Sequence, residues 1–305
     1  MKRLVIILAA TLISAATAFG QQKRWAVVEL SSIYMRIAPD YESALETQEL
    51  MGTVVEIVGE KGYWREIVSP QPYKAWCTEK GIVVMSEAEL EAYKAAPKCI
   101  FTELYGHVYE QPSLKSATVC DLVGGDIMRL AGAKKKGFTK ILLPSGKEGW
   151  VCTSQIKPHE GFLSIAKGEG NADSISDAQM EKIIATAFKL KGAPYFWGGM
   201  TPKGVDCSGL VRWSCLMNGI LLPRNASQMV HCGDEVSLDD LQRGDLVFFG
   251  TPAKDGKPRR VTHVGIYIGD GHIIHSSHLV RVNSLDPSQP DYYENAHKLI
   301  AARRL

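Results

Sequence analysis

The sequence predicts an α+β protein in which two small antiparallel β modules precede a C-terminal α+β domain. Three observations predict it. A doubled set of short alternating runs, broken by Gly and Pro, fills the first half of the chain. Helical spacing of Leu210, Trp213 and Met217 follows Cys207. Val264, Ile266 and Ile268 then alternate with Gly265 and Tyr267 as a strand does.

Taken in order, residues 1–20 read as a secretory signal peptide. Lys2 and Arg3 charge its start, Leu4 to Ile13 form a short apolar run, and small residues precede a cut near Gln21. The run is too short for a membrane span, so no stable anchor is expected, and the protein is expected outside the inner membrane, periplasmic or extracellular. Removing Lys2 and Arg3 from the 35 basic residues leaves 33, equal to the 33 acids. That balance argues against nucleic acid or anionic lipid as the main partner. Seven cysteines, at 77, 99, 120, 152, 207, 215 and 232, leave at least one unpaired in an exported chain. Most of them are expected to be buried free thiols.

Residues 21–85 and 97–157 form the two repeated modules. Tyr34-Met35-Arg36-Ile37-Ala38-Pro39 aligns with His107-Val108-Tyr109-Glu110-Gln111-Pro112, Gly62-Tyr63-Trp64 with Gly137-Phe138-Thr139, and Ala75-Trp76 with Gly149-Trp150. Each reads as a small antiparallel barrel. Residues 86–96 read as a connecting helix, and residues 158–175 as a linker. A helix is expected over Ala178 to Lys191, capped by Asp177 and ended by Gly192.

Cys207 opens the next helical segment, where free N–H groups and the helix dipole favour a thiolate and can donate to an oxyanion. His263, at the start of a strand, is the candidate base, and His275 the residue that orients it. His263, His272, His275 and His278 also cluster, but strand register argues against a metal site, and no cofactor is called for. A three-residue Gly269-Asp270-Gly271 hairpin loop pairs Ile268 with His272 and Gly265 with His275. His263 and His275 then share a face, with His272 and His278 on the other. A two-residue Asp270-Gly271 turn would separate His263 from His275.

The segments Tyr195-Phe196-Trp197-Gly198-Gly199, Asp206-Cys207-Ser208-Gly209-Leu210, Pro223-Arg224-Asn225-Ala226-Ser227-Gln228 and Thr262-His263-Val264-Gly265-Ile266-Tyr267 resemble the NlpC-type cell-wall peptidases, a papain-like cysteine peptidase family. The resemblance spans residues 176–305. The "turn, Gly/Ala-Trp, polar" ending of each repeat resembles bacterial SH3-like domains. The implied architecture is a papain-like α+β domain behind two SH3-like barrels. The implied catalytic set is Cys207, His263 and His275, with Tyr195, Asp206, Ser208 and Ser227 lining the substrate cleft. Tyr195 would assist the oxyanion, and Asp206 would meet a substrate amine. Asp245 is expected to be a turn or supporting residue.

The implied activity is hydrolysis of the γ-D-glutamyl–diamino acid bond in peptidoglycan-derived peptides. Two SH3-like modules ahead of such a domain imply trimming of free muropeptides. The first module, with Tyr73 and Trp76, is expected to close one end of the cleft and select a free N-terminal L-Ala. The alternatives are a wall-binding protein with an inactive peptidase domain, or an amidase or acyltransferase on the same scaffold.

Overall fold

The structure is a computed structural model that describes residues 23–70, 73–165 and 175–305. The expected signal peptide and residues 166–174 of the expected linker lie outside the described residues. No helix among the described residues is long and apolar enough to cross a membrane.

The first repeat supplies β1 (Arg24–Val28), β2 (Ser32–Arg36), β3 (Leu45–Leu50), β4 (Val54–Lys61), β5 (Trp64–Val68), β6 (Lys74–Thr78) and β7 (Ile82–Met85). After the helix α1 (Glu87–Ala95), the second supplies β8 (Lys98–Phe101), β9 (Tyr105–Tyr109), β10 (Thr118–Val123), β11 (Ile127–Lys135), β12 (Phe138–Leu142), β13 (Glu148–Cys152) and β14 (Ile156–Pro158). The strand order is β3-β2-β6-β5-β4-β1-β7 in one sheet and β10-β9-β13-β12-β11-β8-β14 in the other. The second order is the first advanced by one repeat. The aligned residues occupy matching places: Arg36 pairs with Trp76, and Tyr109 pairs with Trp150. Each sheet is an open ladder of hydrogen-bonded pairs. Its core comes from inward-facing apolar residues, such as Met35, Ile67 and Cys77 in the first and Phe101, Met128 and Ile141 in the second.

The α1 helix starts with a reciprocal cap, in which Ser86 Oγ accepts from Glu89 N–H and the Glu89 carboxylate accepts from Ser86 N–H. It buries Leu90 and Tyr93 against Val27.

The C-terminal part contains β15 (Ser164–Ile165), α2 (Asp177–Lys189), β16 (Met200–Thr201), β17 (Gly204–Val205), α3 (Cys207–Leu216), β18 (Ile220–Leu221), α4 (Ala226–Met229), β19 (Asp234–Val236), β20 (Leu246–Thr251), β21 (Arg260–Gly269), β22 (His272–Ser277), β23 (Leu279–Ser284) and β24 (Leu299–Arg304). A six-stranded sheet ordered β19-β24-β20-β21-β22-β23 is its frame. Phe248, Val264, Ile266 and Ile274 on one face pack under Leu210 and Trp213 of α3 and Ile183 and Ile184 of α2. Val247, Phe249 and Ile273 on the other pack against Tyr293. Every residue of α3 is buried, the polar Ser208, Arg212 and Ser214 included.

Two details of α2 differ from expectation. The cap is Ser176, whose hydroxyl accepts from Gln179 N–H, and Asp177 is the first helical residue. A short hydroxyl one residue earlier reaches the third N–H of the helix, leaving Asp177 to face the positive helix end. The helix stops at Lys189, with Leu190 as its C-cap, and the chain turns at Gly192, where φ is +89°.

The three bodies pack directly on one another. Asp121 of β10 accepts from Ser31 of the first repeat (3.0 Å) and from Lys203 before β17 (2.6 Å). Trp213 Nε1 of α3 donates to Gly124 O (3.0 Å). Leu50, Val123 and Leu216, one residue from each body, share a buried cluster. These contacts set where the first repeat lies relative to α3.

Candidate active site

Cys207 is the first residue of α3, and Asp206 is its N-cap, accepting from Gly209 N–H at 2.6 Å. Gly199 O accepts from Asp206 N–H at 3.2 Å. A Cβ on Gly209 would stand 2.0 Å from Gly199 O, so only glycine lets the Tyr195–Gly199 segment close over the first turn of α3. This contact joins the two motifs that lie apart in sequence.

The Asp206 carboxylate is heavily engaged. Besides Gly209, it accepts from Gly198 N–H, from Ser208 Oγ and, at 2.5 and 3.1 Å, from Arg224. Arg224 also donates to Ser208 Oγ and to Thr47 Oγ1 of β3. Its guanidinium is buried and raised above its usual range by Asp206, against the effect of burial. Asp206 therefore stands as half of a buried ion pair that locks the α3 N-terminus to the first repeat.

His263 and His275 are brought together by the hairpin, though not through the loop expected. Gly269 pairs with His272, so Asp270 (φ +49°) and Gly271 (φ +71°) form a two-residue turn. A register shift between Tyr267 and Gly269 makes Ile268 an extra residue. That bulge restores the parity that the short turn would have lost. Ile266 pairs with Ile274, which sets Gly265 opposite His275; a Cβ on Gly265 would meet His275 Cβ at 3.2 Å. His263 Nε2 and His275 Nδ1 lie 2.7 Å apart. His272 Nδ1 lies 2.6 Å from Asp270 O instead.

Asn283 of β23 continues the chain. Its Nδ2 donates to Asp291 O at 2.6 Å, and its Oδ1 lies 3.0 Å from His275 Nε2. Since a carbonyl only accepts, the amide orientation is set, and His275 Nε2 must carry the proton. His275 Nδ1 then accepts from His263 Nε2, leaving His263 Nδ1 unprotonated. A chain that ends at a backbone carbonyl thus selects the tautomer of His263 with a basic Nδ1.

Burial pushes His263 down to about 3 and His275 down to about 4, with Arg281 lowering both. Burial likewise pushes the Cys207 thiol up to about 11, with Asp206 adding to the rise. The N–H groups of Val264 and Ser208, and Arg224, act against it. Burial therefore acts on the thiol against the lowering expected from the helix N-terminus. The Val264 N–H beside the thiol brings the strand carrying His263 against Cys207. The Tyr195 phenol, raised by burial and then by Cys207, is their neighbour.

A cleft of about 480 Å³ opens on Cys207. Tyr195, Asp206, Ser208 and Ser227 all line it, as expected from sequence. Glu46 and Tyr73 of the first repeat also line it, as do Arg260, Val261 and Thr262, which precede His263 on β21. Trp76 instead sits within β6 opposite Arg36 and Glu66. Asp245 is buried, accepts from Gln242 N–H and pairs with Arg304 at 2.8 Å, a supporting role. Sequence reasoning missed Asn283, Glu46 and the ion-pair role of Arg224. The alternation of Arg281 and Asn283 along β23 was the only signal for the first. Nothing local signals the other two. All seven cysteines are unpaired thiols. No group of three metal-ligating side chains occurs among the described residues.

Comparison with known proteins agrees with this geometry. Residues 192–300 match the NlpC/P60 family model. The chain is 30% identical over 247 residues to a γ-D-glutamyl-L-lysine dipeptidyl-peptidase of Bacillus subtilis strain 168, covering 77% of this chain and 73% of that one. It is 27% identical over 272 residues to dipeptidyl-peptidase 6 of Lysinibacillus sphaericus, covering 87% and 93%. A crystal structure of an NlpC/P60 family protein from Bacillus cereus ATCC 10987 superposes with a TM-score of 0.73 at 24% identity, over 92% of this chain and 99% of that one. The papain-like arrangement of α3 against β21 and β22, and similarity that runs through both repeats, place this chain in the NlpC/P60 family of cysteine peptidases.

Proposed function

We infer that the protein is an exported cysteine endopeptidase that cleaves the γ-D-glutamyl–diamino acid bond of peptidoglycan-derived peptides bearing a free N-terminal L-Ala. The observation that carries this reading is the hydrogen-bonded line from Asp291 through Asn283 and His275 to His263, beside a thiol on a helix N-terminus. The name of the B. subtilis relative supports the substrate class.

In this mechanism Cys207 Sγ attacks the γ-glutamyl carbonyl carbon as its proton passes to His263 Nδ1. N–H groups of the first turn of α3 and the Tyr195 hydroxyl supply donors to the oxyanion. The C–N bond breaks as His263 returns the proton to the leaving amine. Water, deprotonated by His263, then hydrolyses the thioester.

The two repeats are read as SH3-like modules, residues 21–85 and 97–157. On this reading the first, whose Glu46 and Tyr73 line the cleft, closes the end away from His263. Asp206 is already paired with Arg224, so Glu46 is the carboxylate left to meet a substrate ammonium. The test is mass spectrometry of products from L-Ala-γ-D-Glu-L-Lys with a free or an acetylated N-terminus. Release of L-Ala-γ-D-Glu from the free peptide, roughly a hundredfold faster than from the acetylated one, supports the reading. Equal rates remove the closed end, and a different product removes the bond assignment.

A further inference from the structure

The cleft carries charges of both signs. Its lining includes the Glu46 carboxylate of the first repeat and Arg260, which stands three residues before His263 on β21. Arg260 is exposed and, among the described residues, has no carboxylate in ion-pair range. It ends a stretch that carries Lys254, Lys257 and Arg259 against the single acid Asp255. A stretch of this kind repels a cation and attracts an anion.

Chain direction says which part of a substrate meets it. His263 protonates the leaving nitrogen, so the residues just before His263 on β21 flank the leaving group. A register shift between Phe249 and Gly250, which pair with His263 and Val261, makes Thr262 the extra residue. Val261 consequently packs toward the helix core. Arg260 follows on the cleft side, paired with Thr251 two residues beyond the partner of His263, so its Cα lies about 7 Å along the strand from that of His263. A guanidinium at that distance suits a group at the far end of the leaving residue's side chain better than one next to the scissile nitrogen. A lysine places an ammonium there, beside a like charge. A diaminodicarboxylic acid places a carboxylate there, with planar two-point geometry that an arginine matches.

The geometry points to Arg260 as a specificity residue that binds a carboxylate of the leaving diamino acid, foremost the side-chain carboxylate of a diaminodicarboxylic acid. This rests on the endopeptidase reading above. With Glu46 also on its lining, the cleft matches a zwitterionic peptide, with an ammonium ahead of the scissile bond and a carboxylate beyond it.

The experiment measures kcat/KM of the full chain and of Arg260→Gln on three peptides: L-Ala-γ-D-Glu-meso-diaminopimelate, L-Ala-γ-D-Glu-L-Lys, and the lysine peptide with an amidated C-terminus. The expected result is a diaminopimelate-to-lysine ratio that falls about tenfold or more in Arg260→Gln, with KM carrying the change. Arg260→Lys, which keeps the charge but not the fork, should recover part of the ratio. A change confined to the acid-to-amide ratio of the lysine peptide assigns the contact to the terminal α-carboxylate and still supports a carboxylate site. Ratios unaltered by Arg260→Gln overturn the proposal while leaving the endopeptidase reading intact. A wild-type chain that cleaves none of the three overturns both.

Discussion

His263 and His275 meet on one face of the β21–β22 hairpin, Nε2 to Nδ1 at 2.7 Å, because Ile268 is bulged out of register. A two-residue turn without that bulge would put the two rings on opposite sides of the sheet. The pairing of the candidate base with its orienting residue therefore depends on one extra residue, which packs against the helix-side core.

Deleting Ile268 tests this. The deletion should leave a regular two-residue hairpin and lower kcat by about a hundredfold or more, the contribution of a positioned base. Ile268→Ala keeps the bulge and should retain most activity, at a cost of about 1–2 kcal/mol in stability. Activity surviving the deletion would show that His275 does not orient His263.

Cys207→Ala should abolish hydrolysis, lowering kcat by roughly 10⁴-fold or more, with little change in unfolding midpoint. Product assays alongside denaturant melts check this. Labelling by a thiol-directed inhibitor at Cys215 or Cys232 in place of Cys207 would contradict it.

Asn283→Ala should reduce kcat about a hundredfold and leave KM nearly unaltered, since Asn283 touches His275 and not the cleft. Without it His275 can flip tautomer and take the proton on Nδ1, facing a donor of His263 with a donor. Steady-state kinetics, with ¹⁵N shifts of both imidazoles, distinguish a lost tautomer from a lost fold.

The pKa directions predict two pH effects. His263 and His275 are held at about 3 and about 4, below the usual 6.5. The unfolded chain then binds more protons than the folded one between those values and 6.5, so stability rises with pH across that window and is lost as pH falls through it. Melting temperatures from pH 7 to 4 should fall less steeply in His275→Asn. The Cys207 thiol, held near 11, should react with iodoacetamide at a rate that keeps rising through alkaline pH. A plateau already at neutral pH would mean that its proton rests on His263.

Arg224→Met should destabilise the protein by about 3–5 kcal/mol, because it leaves Asp206 buried without its cation. Arg224→Met with Asp206→Asn should recover much of that loss. Chemical denaturation of both single variants, the double variant and the parent gives the coupling directly.

Local signals in the chain were enough for the repeat and the α+β class, while the roles given to Cys207, His263 and His275 leaned on motifs shared with a known family. Gly62 and Gly137 turn at equivalent places, with φ of +58° and +79°, and Trp76 and Trp150 sit at equivalent registers. Cys207 falls on a helix start because Asp206 caps it and an apolar segment follows. Those readings rest on turn chemistry and periodicity, which act over a few residues. The joint control of the α3 N-terminus by Arg224 and Thr47, 177 residues apart, is a different matter. So are the entry of Glu46 into the cleft, the Asp291–Asn283–His275 line and the burial of the thiol. Each depends on which surfaces are brought together and how much water they exclude. Burial and long-range pairing are properties of the packed molecule, and no window of neighbouring residues encodes them.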